Sequence, residues 1–328
     1  MVDLSTTYLG VSLKNPLVVA ASSISSYVDR VKMAEEAGAG ALVIRSLFEE
    51  QIEYDRQALA EFLASGADGY AESTSYYPQL KHGGPKEHLM WVEKTRKAVQ
   101  MPLFASLNAV TPGAWVDYAR QLAGTGVDGL EINYYIVPTD PDMPGSVIEN
   151  RLYDIVERIR AEVSLPLAVK LSPFLTAPAN VVRELEKRGV KGVVLFNRFL
   201  QPDIDPDSES LHSEMILSTP AELKLPLRWV AILYGRTGLD LALNTGAHTG
   251  RDVVKGLLAG ASVVQMAATL LKNGIPYLST MLIHLQNWME EKGYETLDDF
   301  RGNLSQKNVP DPDAFERAQY VKLLLAQS

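Results

Sequence analysis

The chain has 328 residues, of which 46% are hydrophobic, enough for one large barrel or for two domains of ordinary size. It carries 31 basic and 40 acidic residues, and its formal charge of −9 argues against a general binder of nucleic acids or anionic membranes. Cysteine is absent, which excludes disulfides, thiolate metal sites, iron–sulfur clusters and a cysteine nucleophile within this chain.

We expect no signal for export or membrane insertion at the amino terminus of this sequence. Met1–Ser5 does not begin a basic segment followed by an apolar one, and no stretch approaches the roughly 18 apolar residues of a membrane span. The histidines lack the spacing of a metal site, so we expect surface or packing roles for them and no metal. We predict a cytoplasmic protein that binds neither nucleic acid nor membrane.

A glycine, a small or polar residue and an apolar run recur in four segments. Each segment follows an amphipathic stretch, which is typical of a helix ended by glycine, a short turn and a buried parallel strand. The segments are 38–45, 126–133, 189–197 and 260–266. Repeated helix–strand units predict an α/β fold with its active site at the carboxyl ends of the strands.

Eight strands are predicted in chain order, with helices such as 27–37 and the region around 90–99 between them. The strands are Leu13–Ala20, Ala41–Ile44, Pro102–Leu107, a fourth ending at Asn133, Leu167–Leu171, a sixth ending at Asn197, Leu239–Leu243 and Val263–Met266. Larger insertions fall between strands two and three and between strands six and seven. This spacing favours a (β/α)8 TIM barrel. An open doubly wound sheet is disfavoured because Ala20-Ala21-Ser22-Ser23 lacks the glycine pattern of a dinucleotide site.

Three further segments are predicted to complete the barrel. In chain order, they form an N-terminal hairpin that closes its bottom, an outer helix and a final helix. They are Leu4–Lys14, Pro276–Lys292 and Ala314–Leu325. The hairpin turns at Gly10, Gly293 ends the outer helix, and a loop is expected over 305–313. We therefore expect a single domain over residues 1–328.

Lys170 lies in an otherwise apolar strand, between Pro166 and Pro173. An unpaired lysine there costs on the order of several kcal/mol, so its ammonium must face a cavity, an anion or a carbonyl substrate. A structural ion pair across the barrel is the alternative interpretation. Because Lys170 stands at the carboxyl end of its strand, we favour a functional role.

Polar residues also end the neighbouring strands. Asn133 and Asn197 close strands four and six, and amide side chains offer paired donor and acceptor atoms to a heteroaromatic ring. Strand-end capping explains either asparagine alone, whereas the two together around Lys170 indicate a shared ligand. Arg45 and Ser46 add a cation and a hydroxyl at the end of strand two.

Small residues follow the last two strands. Thr245-Gly246-Ala247 and Ala267-Ala268-Thr269 allow backbone N–H groups to approach an anion, and phosphate sites of barrels commonly lie at these turns. Small residues are also ordinary turn formers. In combination with the polar strand ends, they predict a phosphorylated cofactor across the top of the barrel.

Taken together, these residues resemble the dihydroorotate dehydrogenase family, FMN enzymes built on the (β/α)8 barrel. The similarity covers most of the chain, including 13–16, 131–133, 169–173, 203–205, 258–265 and 288–294. The resemblance implies FMN as the cofactor and a homodimer. It also implies a cofactor site made by Ala20, Ala21, Ser22, Arg45, Ser46, Asn133, Lys170, Asn197, Thr245, Gly246, Ala267 and Ala268.

The segment after Asn133 departs from the family, which carries Asn-x-Ser-Cys-Pro-Asn there, with a cysteine or serine as the base for a substrate proton. Here the base position is Ile136 or Val137, and neither can move a proton. Thr139 replaces a substrate-binding asparagine, and Thr245 replaces a phosphate-site glycine. The pattern resembles the dihydroorotate dehydrogenase-like branch, through segments 134–140, 196–199 and 226–229.

We predict an FMN-dependent oxidoreductase that acts on CH–CH or related bonds of an unknown small, pyrimidine-like substrate. Lys170 would stabilise negative charge on the reduced flavin. Tyr135 is the preferred replacement acid or base, with Thr139 and Asp140 as alternatives on the same loop, although packing against the barrel rim also explains an aromatic residue there. The loop that contains 75–78 and 83–85 is a second candidate lid.

Two other functions stay open on the sequence alone. In the first, Lys170 is the nucleophile of a Schiff-base lyase or aldolase. In the second, the barrel binds flavin without turnover and acts as a partner subunit. Any iron–sulfur cluster would belong to a redox partner protein, because this chain has no cysteine.

Overall fold

The computed structural model of the chain describes residues 2–48, 85–108, 115–212 and 214–326. The predicted insertion between strands two and three, and with it nearly all of the candidate lid at 75–85, lies outside these ranges. Within them, no helix is long and apolar enough to cross a membrane.

The strands and helices alternate along most of the described chain. In chain order, the strands are β1 (Thr6–Tyr8), β2 (Val11–Leu13), β3 (Leu17–Val19), β4 (Ala41–Phe48), β5 (Leu103–Asn108), β6 (Gly129–Asn133), β7 (Leu167–Leu171), β8 (Gly192–Leu195), β9 (Asp203–Asp205), β10 (Ser210–His212), β11 (Asp240–Asn244) and β12 (Val263–Met266). The helices are α1 (Val28–Glu36), α2 (Pro85–Ala98), α3 (Trp115–Gly124), α4 (Gly145–Glu162), α5 (Pro178–Lys187), α6 (Lys224–Leu233), α7 (Gly250–Ala259), α8 (Ala268–Asn273), α9 (Tyr277–Lys292) and α10 (Ala318–Leu325).

Eight parallel strands close into a barrel in the order β11-β12-β3-β4-β5-β6-β7-β8. The predicted (β/α)8 barrel is therefore confirmed. Strand β7 illustrates how the sequence builds it. Ala168 packs in the cluster inside the barrel, whereas Leu167 and Val169 pack in the larger cluster between the barrel and its helices. Both faces of such a strand are buried, which explains the nearly continuous apolar run of its sequence.

The amino-terminal hairpin closes the bottom of the barrel, as predicted. Strands β1 and β2 pair with Tyr8 opposite Val11, and both turn residues, Leu9 and Gly10, have positive φ, as two-residue hairpin turns require. The side chain of Leu9 enters the barrel so closely that a Cβ on Gly192 would lie 2.6 Å from it.

The sixth barrel strand ends at Leu195, two residues before the predicted end at Asn197. Three other element boundaries differ from the prediction by four residues each. The first barrel strand begins at Leu17, because Leu13 pairs in the hairpin and the Asn15 side chain accepts the Leu17 N–H at 3.0 Å. The second barrel strand continues to Phe48 with an irregular register between Ile44 and Leu47. The final helix begins at Ala318, since Glu316 is extended and separates it from a short 3-10 turn.

The other predicted elements are present. Helix α9 ends at Gly293 in a left-handed conformation and packs outside the barrel on α7, where a Cβ on Gly250 would lie 2.4 Å from the Cβ of His284. The insertion between the sixth and seventh barrel strands holds the β9–β10 hairpin, a 3-10 turn at Pro220–Leu223 and α6. Residues 305–313 form irregular turns.

Candidate functional site

A cleft of about 280 Å³ lies at the carboxyl ends of the barrel strands. It is close to the lower end of the roughly 300–1,000 Å³ that small-molecule sites occupy. Nine of the predicted site residues line it: Ala20, Ala21, Ser22, Lys170, Asn197, Thr245, Gly246, Ala267 and Ala268. Arg45, Ser46, Asn133 and Tyr135 are predicted site residues that do not line it.

Lys170 lines the cleft and also has a buried carboxylate beneath it. Its Nζ lies 4.0 Å from Oε1 of Glu131, which stands on the neighbouring strand β6. The other carboxylate oxygen of Glu131 accepts a hydrogen bond of 2.8 Å from Gln265 on β12. The two interpretations of Lys170, a group at a cavity and a member of an ion pair, therefore both describe this side chain.

Sequence reasoning missed Glu131 and Gln265, although the signal was the same as for Lys170. Each is a polar side chain in an otherwise apolar strand, and both are almost fully buried. Tyr8 of the hairpin lies in the same interior. Burial, together with the negative charges of Glu131 and Asp240, holds the pKa of Tyr8 well above its usual range, so that the phenol keeps its proton.

Asn133, which ends β6, and Asn197, which follows β8, contact each other. Asn197 Nδ2 donates a hydrogen bond of 2.8 Å to Asn133 Oδ1, and the backbone N–H of Asn197 donates to Leu171 O. Asn133 pairs in register with Lys170. The two amides thus bridge the strand that carries the lysine, and Asn197 is the one that reaches the cleft.

Arg45 and Ser46 lie in the irregular part of β4 and do not line the cleft. Arg45 Nη1 donates to Ser26 Oγ at 3.3 Å, and its N–H donates to Ser25 Oγ at 2.8 Å. Ser46 Oγ is 2.7 Å from Ser106 Oγ. The Arg45 carbonyl lies 3.2 Å from Nε2 of buried His88, whose pKa is lowered to about 4, mainly by burial.

The turn after β11 has an unusual backbone. Thr245 and Gly246 both have φ of +81°, a region that β-branched residues rarely adopt. A Cβ on Gly246 would lie 2.3 Å from the backbone N of Leu223, so this position requires glycine. The Thr245 hydroxyl and the Asn244 amide both donate to the carbonyl of Phe196, at 3.2 and 2.6 Å, which fixes the turn against the end of β8.

The two helices that follow the last barrel strands begin differently. At α7, the carboxylate of Asp252 accepts the N–H groups of His248 and Thr249, so the helix caps itself. At α8, the N-cap residue Ala267 has no side chain that can cap the first turn, and Ala267 and Ala268 line the cleft. The first N–H groups of a helix have no acceptor within it, so at this turn backbone N–H groups are left for a partner beside the cleft.

The loop after β6 packs through its aromatic residues. The ring of Tyr135 stacks on Phe199 with centroids 4.1 Å apart, and Phe174 meets Phe199 edge-on at 5.5 Å. Tyr134 points inward and donates to Ile148 O at 2.9 Å, and burial raises its pKa to about 12. Thr139 and Asp140 are exposed. The packing interpretation of Tyr135 thus has a partner in Phe199.

Sequence reasoning also missed a segment that borders the cleft, comprising Arg198, Leu200 and residues 215–218. Arg198 donates to Ile216 O and, at 2.7 Å, to Oε1 of Glu222. Burial alone would raise the pKa of Glu222, but Arg198 and the Thr219 N–H hold it below its usual value. This arginine therefore fastens the segment to the end of β8, and the sequence offers no pattern that predicts such a contact.

Comparison with known proteins gives a family match. The model of the family described as dihydroorotate dehydrogenase matches residues 62–289. A dihydroorotate dehydrogenase B (NAD(+)) catalytic subunit of Thermoplasma volcanium is 26% identical over 92% of this chain and 98% of its own length. A dihydroorotate dehydrogenase A (fumarate) of Lactobacillus delbrueckii is 24% identical over 93% and 99%. The chloroplastic dihydropyrimidine dehydrogenase (NADP(+)) of Arabidopsis thaliana is 24% identical over 96% and 80%.

Proposed function

The chain belongs to the dihydroorotate dehydrogenase family and is an oxidoreductase, and on this premise we propose that it uses FMN to oxidise or reduce a small pyrimidine-like substrate other than dihydroorotate. The observation that carries the proposal is Lys170, a buried cation that lines a cleft at the carboxyl ends of the strands. The similarity to a dihydropyrimidine dehydrogenase supports the substrate class.

The lining of the cleft suits FMN at both of its ends. Ala20 and Ala21 leave room for a flat ring, and buried Gln265 offers an Oε1 acceptor that has no hydrogen-bond partner among the described residues. A ring N–H would satisfy that acceptor. At the other end, Gly246 and the uncapped start of α8 present backbone N–H groups to a phosphate.

Bound FMN would supply the two-electron chemistry, taking up or giving back a hydride. Lys170 would stabilise the negative charge that this leaves on the ring, since a fixed ammonium in a water-poor site acts without reorganisation. Asn197, held by Asn133, would offer an amide to the ring edge. The polar residues at the strand ends would thus bind and orient the flavin ring, and none of them needs to transfer a proton.

Forming C=C from CH–CH releases two electrons and two protons, so a hydride transfer leaves one proton for another group. Ile136 and Val137, at the family's base position, have no atom that can accept it. We assign this proton to Tyr135, whose ring is held by Phe199 and whose hydroxyl makes no hydrogen bond within the described ranges. In the reducing direction the phenol gives its proton to the substrate, and in the oxidising direction it takes up the substrate proton while passing its own proton to water. Dihydroorotate is not the expected substrate, because its usual base is missing.

A Schiff-base lyase is less well supported than the flavin enzyme. A Schiff base needs Lys170 Nζ as a nucleophile, whereas here Nζ lies 4.0 Å from the Glu131 carboxylate and forms an ion pair with it. A barrel that binds flavin without turnover, as a partner subunit, is the second candidate function, and the loss of the usual base position favours it.

We further propose a homodimer that uses the β9–β10 hairpin. Ile204 and Leu211 pair across this hairpin and are 69% and 75% exposed. Apolar side chains presented together on a hairpin are typical of protein contacts. The resemblance to the family implies a dimer, and the exposed pair gives it a surface.

The test is the colour and the reactivity of the purified protein. We expect a yellow protein that releases FMN on denaturation, and a colourless protein that cannot be reconstituted with FMN would refute the proposal. Under anaerobic conditions, 5,6-dihydrouracil should bleach the bound flavin and dihydroorotate should not. Flavin that binds but is bleached by neither dihydropyrimidines nor nicotinamides would favour the partner subunit, and borohydride trapping of Lys170 with pyruvate would favour the lyase.

A further inference from the structure

The interior of the barrel below the cleft contains a column of polar side chains in an otherwise apolar core. Around them pack Val18, Val43, Phe104, Val194 and Val263. The column consists of Tyr8, Gln265, Glu131 and Lys170, which are 1%, 0%, 1% and 7% exposed. A charged pair at this depth is costly unless each charge compensates the other, so the column requires an explanation beyond packing.

The hydrogen bond between Gln265 and Glu131 spans the barrel. Their strands, β12 and β6, are separated by three strands in either direction around the closed sheet. Gln265 Nε2 donates to Glu131 Oε2 at 2.8 Å and so fixes the carboxylate at the barrel axis. A carboxylate that is held from the opposite wall cannot follow Lys170 if the lysine moves.

The second oxygen of Glu131 faces Lys170 but does not occupy the N–H donors of the lysine. Oε1 has no hydrogen-bond partner in the described part of the chain, and Lys170 Nζ lies 4.0 Å away. At this separation the charges attract, yet the ammonium keeps its N–H groups for the cleft that it lines. The arrangement stabilises the charge of the lysine and leaves its hydrogen bonds for a ligand.

We propose that Glu131, held by Gln265, is a positioning residue that holds the Lys170 ammonium beneath the cofactor and thereby sets how much more tightly the protein binds reduced than oxidised flavin. This inference rests on the proposed FMN function. Without Glu131, Lys170 would be a buried cation with no counter-charge, so its ammonium would turn toward the open part of the cleft and away from the ring. Displaced in this way, the ammonium no longer stabilises negative charge on the ring.

The test compares the midpoint potential of bound FMN in the wild type, Glu131→Gln, Lys170→Met and the double variant. Glu131→Gln keeps the shape of the side chain and removes only its charge. We expect it to reproduce Lys170→Met, with at least a tenfold loss of preference for reduced flavin, which is a shift of about 30 mV to more negative potential. In the Lys170→Met background, Glu131→Gln should add nothing. Tyr153→Phe removes a buried hydroxyl on α4, outside the barrel interior, without changing charge, and its potential should match the wild type.

Several results would overturn the inference. A shift of Glu131→Gln to more positive potential would mean that the carboxylate acts on the ring directly, and an equal shift with and without Lys170 would mean that it does not act through the lysine. A Glu131→Gln protein that binds FMN at the wild-type potential would refute this inference alone, whereas a wild type that does not bind FMN would refute the proposed function. In the flavin-free protein, urea unfolding of the same four proteins should show non-additive effects, and additivity would exclude the pairing itself.

Discussion

Replacing Gly246 by alanine should damage both the stability of the barrel and its affinity for FMN. Gly246 has φ of +81°, where a Cβ costs about 1–2 kcal/mol. The added carbon would also lie 2.3 Å from the backbone N of Leu223, and such overpacking costs about 1–3 kcal/mol more. Because the contact is to backbone rather than to a flexible side chain, the turn or the 3-10 segment must move. We expect a loss of about 2–5 kcal/mol in the free energy of unfolding.

Gly293→Ala is the matched control for this variant. Gly293 also has positive φ, +76°, but apart from its chain neighbours no atom of the described residues lies within 4 Å of the methyl group that alanine would add. Only the conformational cost of about 1–2 kcal/mol therefore applies. Urea unfolding of both variants without cofactor, and titration of each with FMN, separates the two effects. Gly246 lines the cleft and Gly293 does not, so only Gly246→Ala should weaken FMN binding. Equal destabilisation of the two variants, or unchanged FMN affinity in Gly246→Ala, would refute the reasoning.

Three further outcomes are expected. The pKa of His88 is lowered to about 4, so between pH 6.5 and 4 the unfolded chain binds a proton that the folded chain does not. The free energy of unfolding should therefore fall by up to about 3 kcal/mol on acidification over this range. Between pH 7 and 4.5, the urea midpoint of the His88→Gln variant should fall less than that of the wild type. Tyr135→Phe keeps the ring on Phe199 and removes only the hydroxyl. Turnover with 5,6-dihydrouracil should therefore fall about 100-fold, with FMN still bound. Unchanged turnover would mean that Tyr135 has only a packing role. Leu211→Glu should produce monomers in size-exclusion chromatography with light scattering. The control Asp207→Lys, at the turn of the same hairpin, should stay dimeric. A monomeric wild type would exclude the dimer.

The barrel could be predicted because each strand carries its own signal. Segments such as 189–197 combine a helix-ending glycine with an apolar run, and Gly189 does have positive φ in the structure. Boundaries were less accurate where a side chain overrides the pattern. Asn15 interrupts the apolar run around Leu13 and Leu17 with its own hydrogen bonds, which turns one predicted strand into a hairpin strand and a barrel strand.

The candidate site was predictable in part, for a related reason. Lys170 and Asn197 stand at strand ends, whose positions follow from the barrel, and both line the cleft. Arg45 does not, because the irregular register of β4 redirects it toward Ser25 and Ser26, and a register shift leaves no pattern in a single sequence. Arg198 was missed because its partner, Glu222, lies 24 residues away in an insertion whose path the sequence does not determine.

The cleft and the loop after β6 therefore respond differently to changes in sequence. The side proposed for the cofactor is made by strand ends and by Gly246, whose positions depend on the whole barrel and tolerate little change. The loop after β6, proposed to meet the substrate, does not line the cleft, and its exposed Thr139 and Asp140 can be replaced without disturbing the core. The family's base can thus be lost at Ile136 or Val137, because that change affects only a loop. Lys170, Glu131 and Gln265 are kept, because the loss of one of them would leave a charge buried without a partner. On this argument, the column supports the proposed cofactor chemistry, and the altered loop supports the proposed change of substrate.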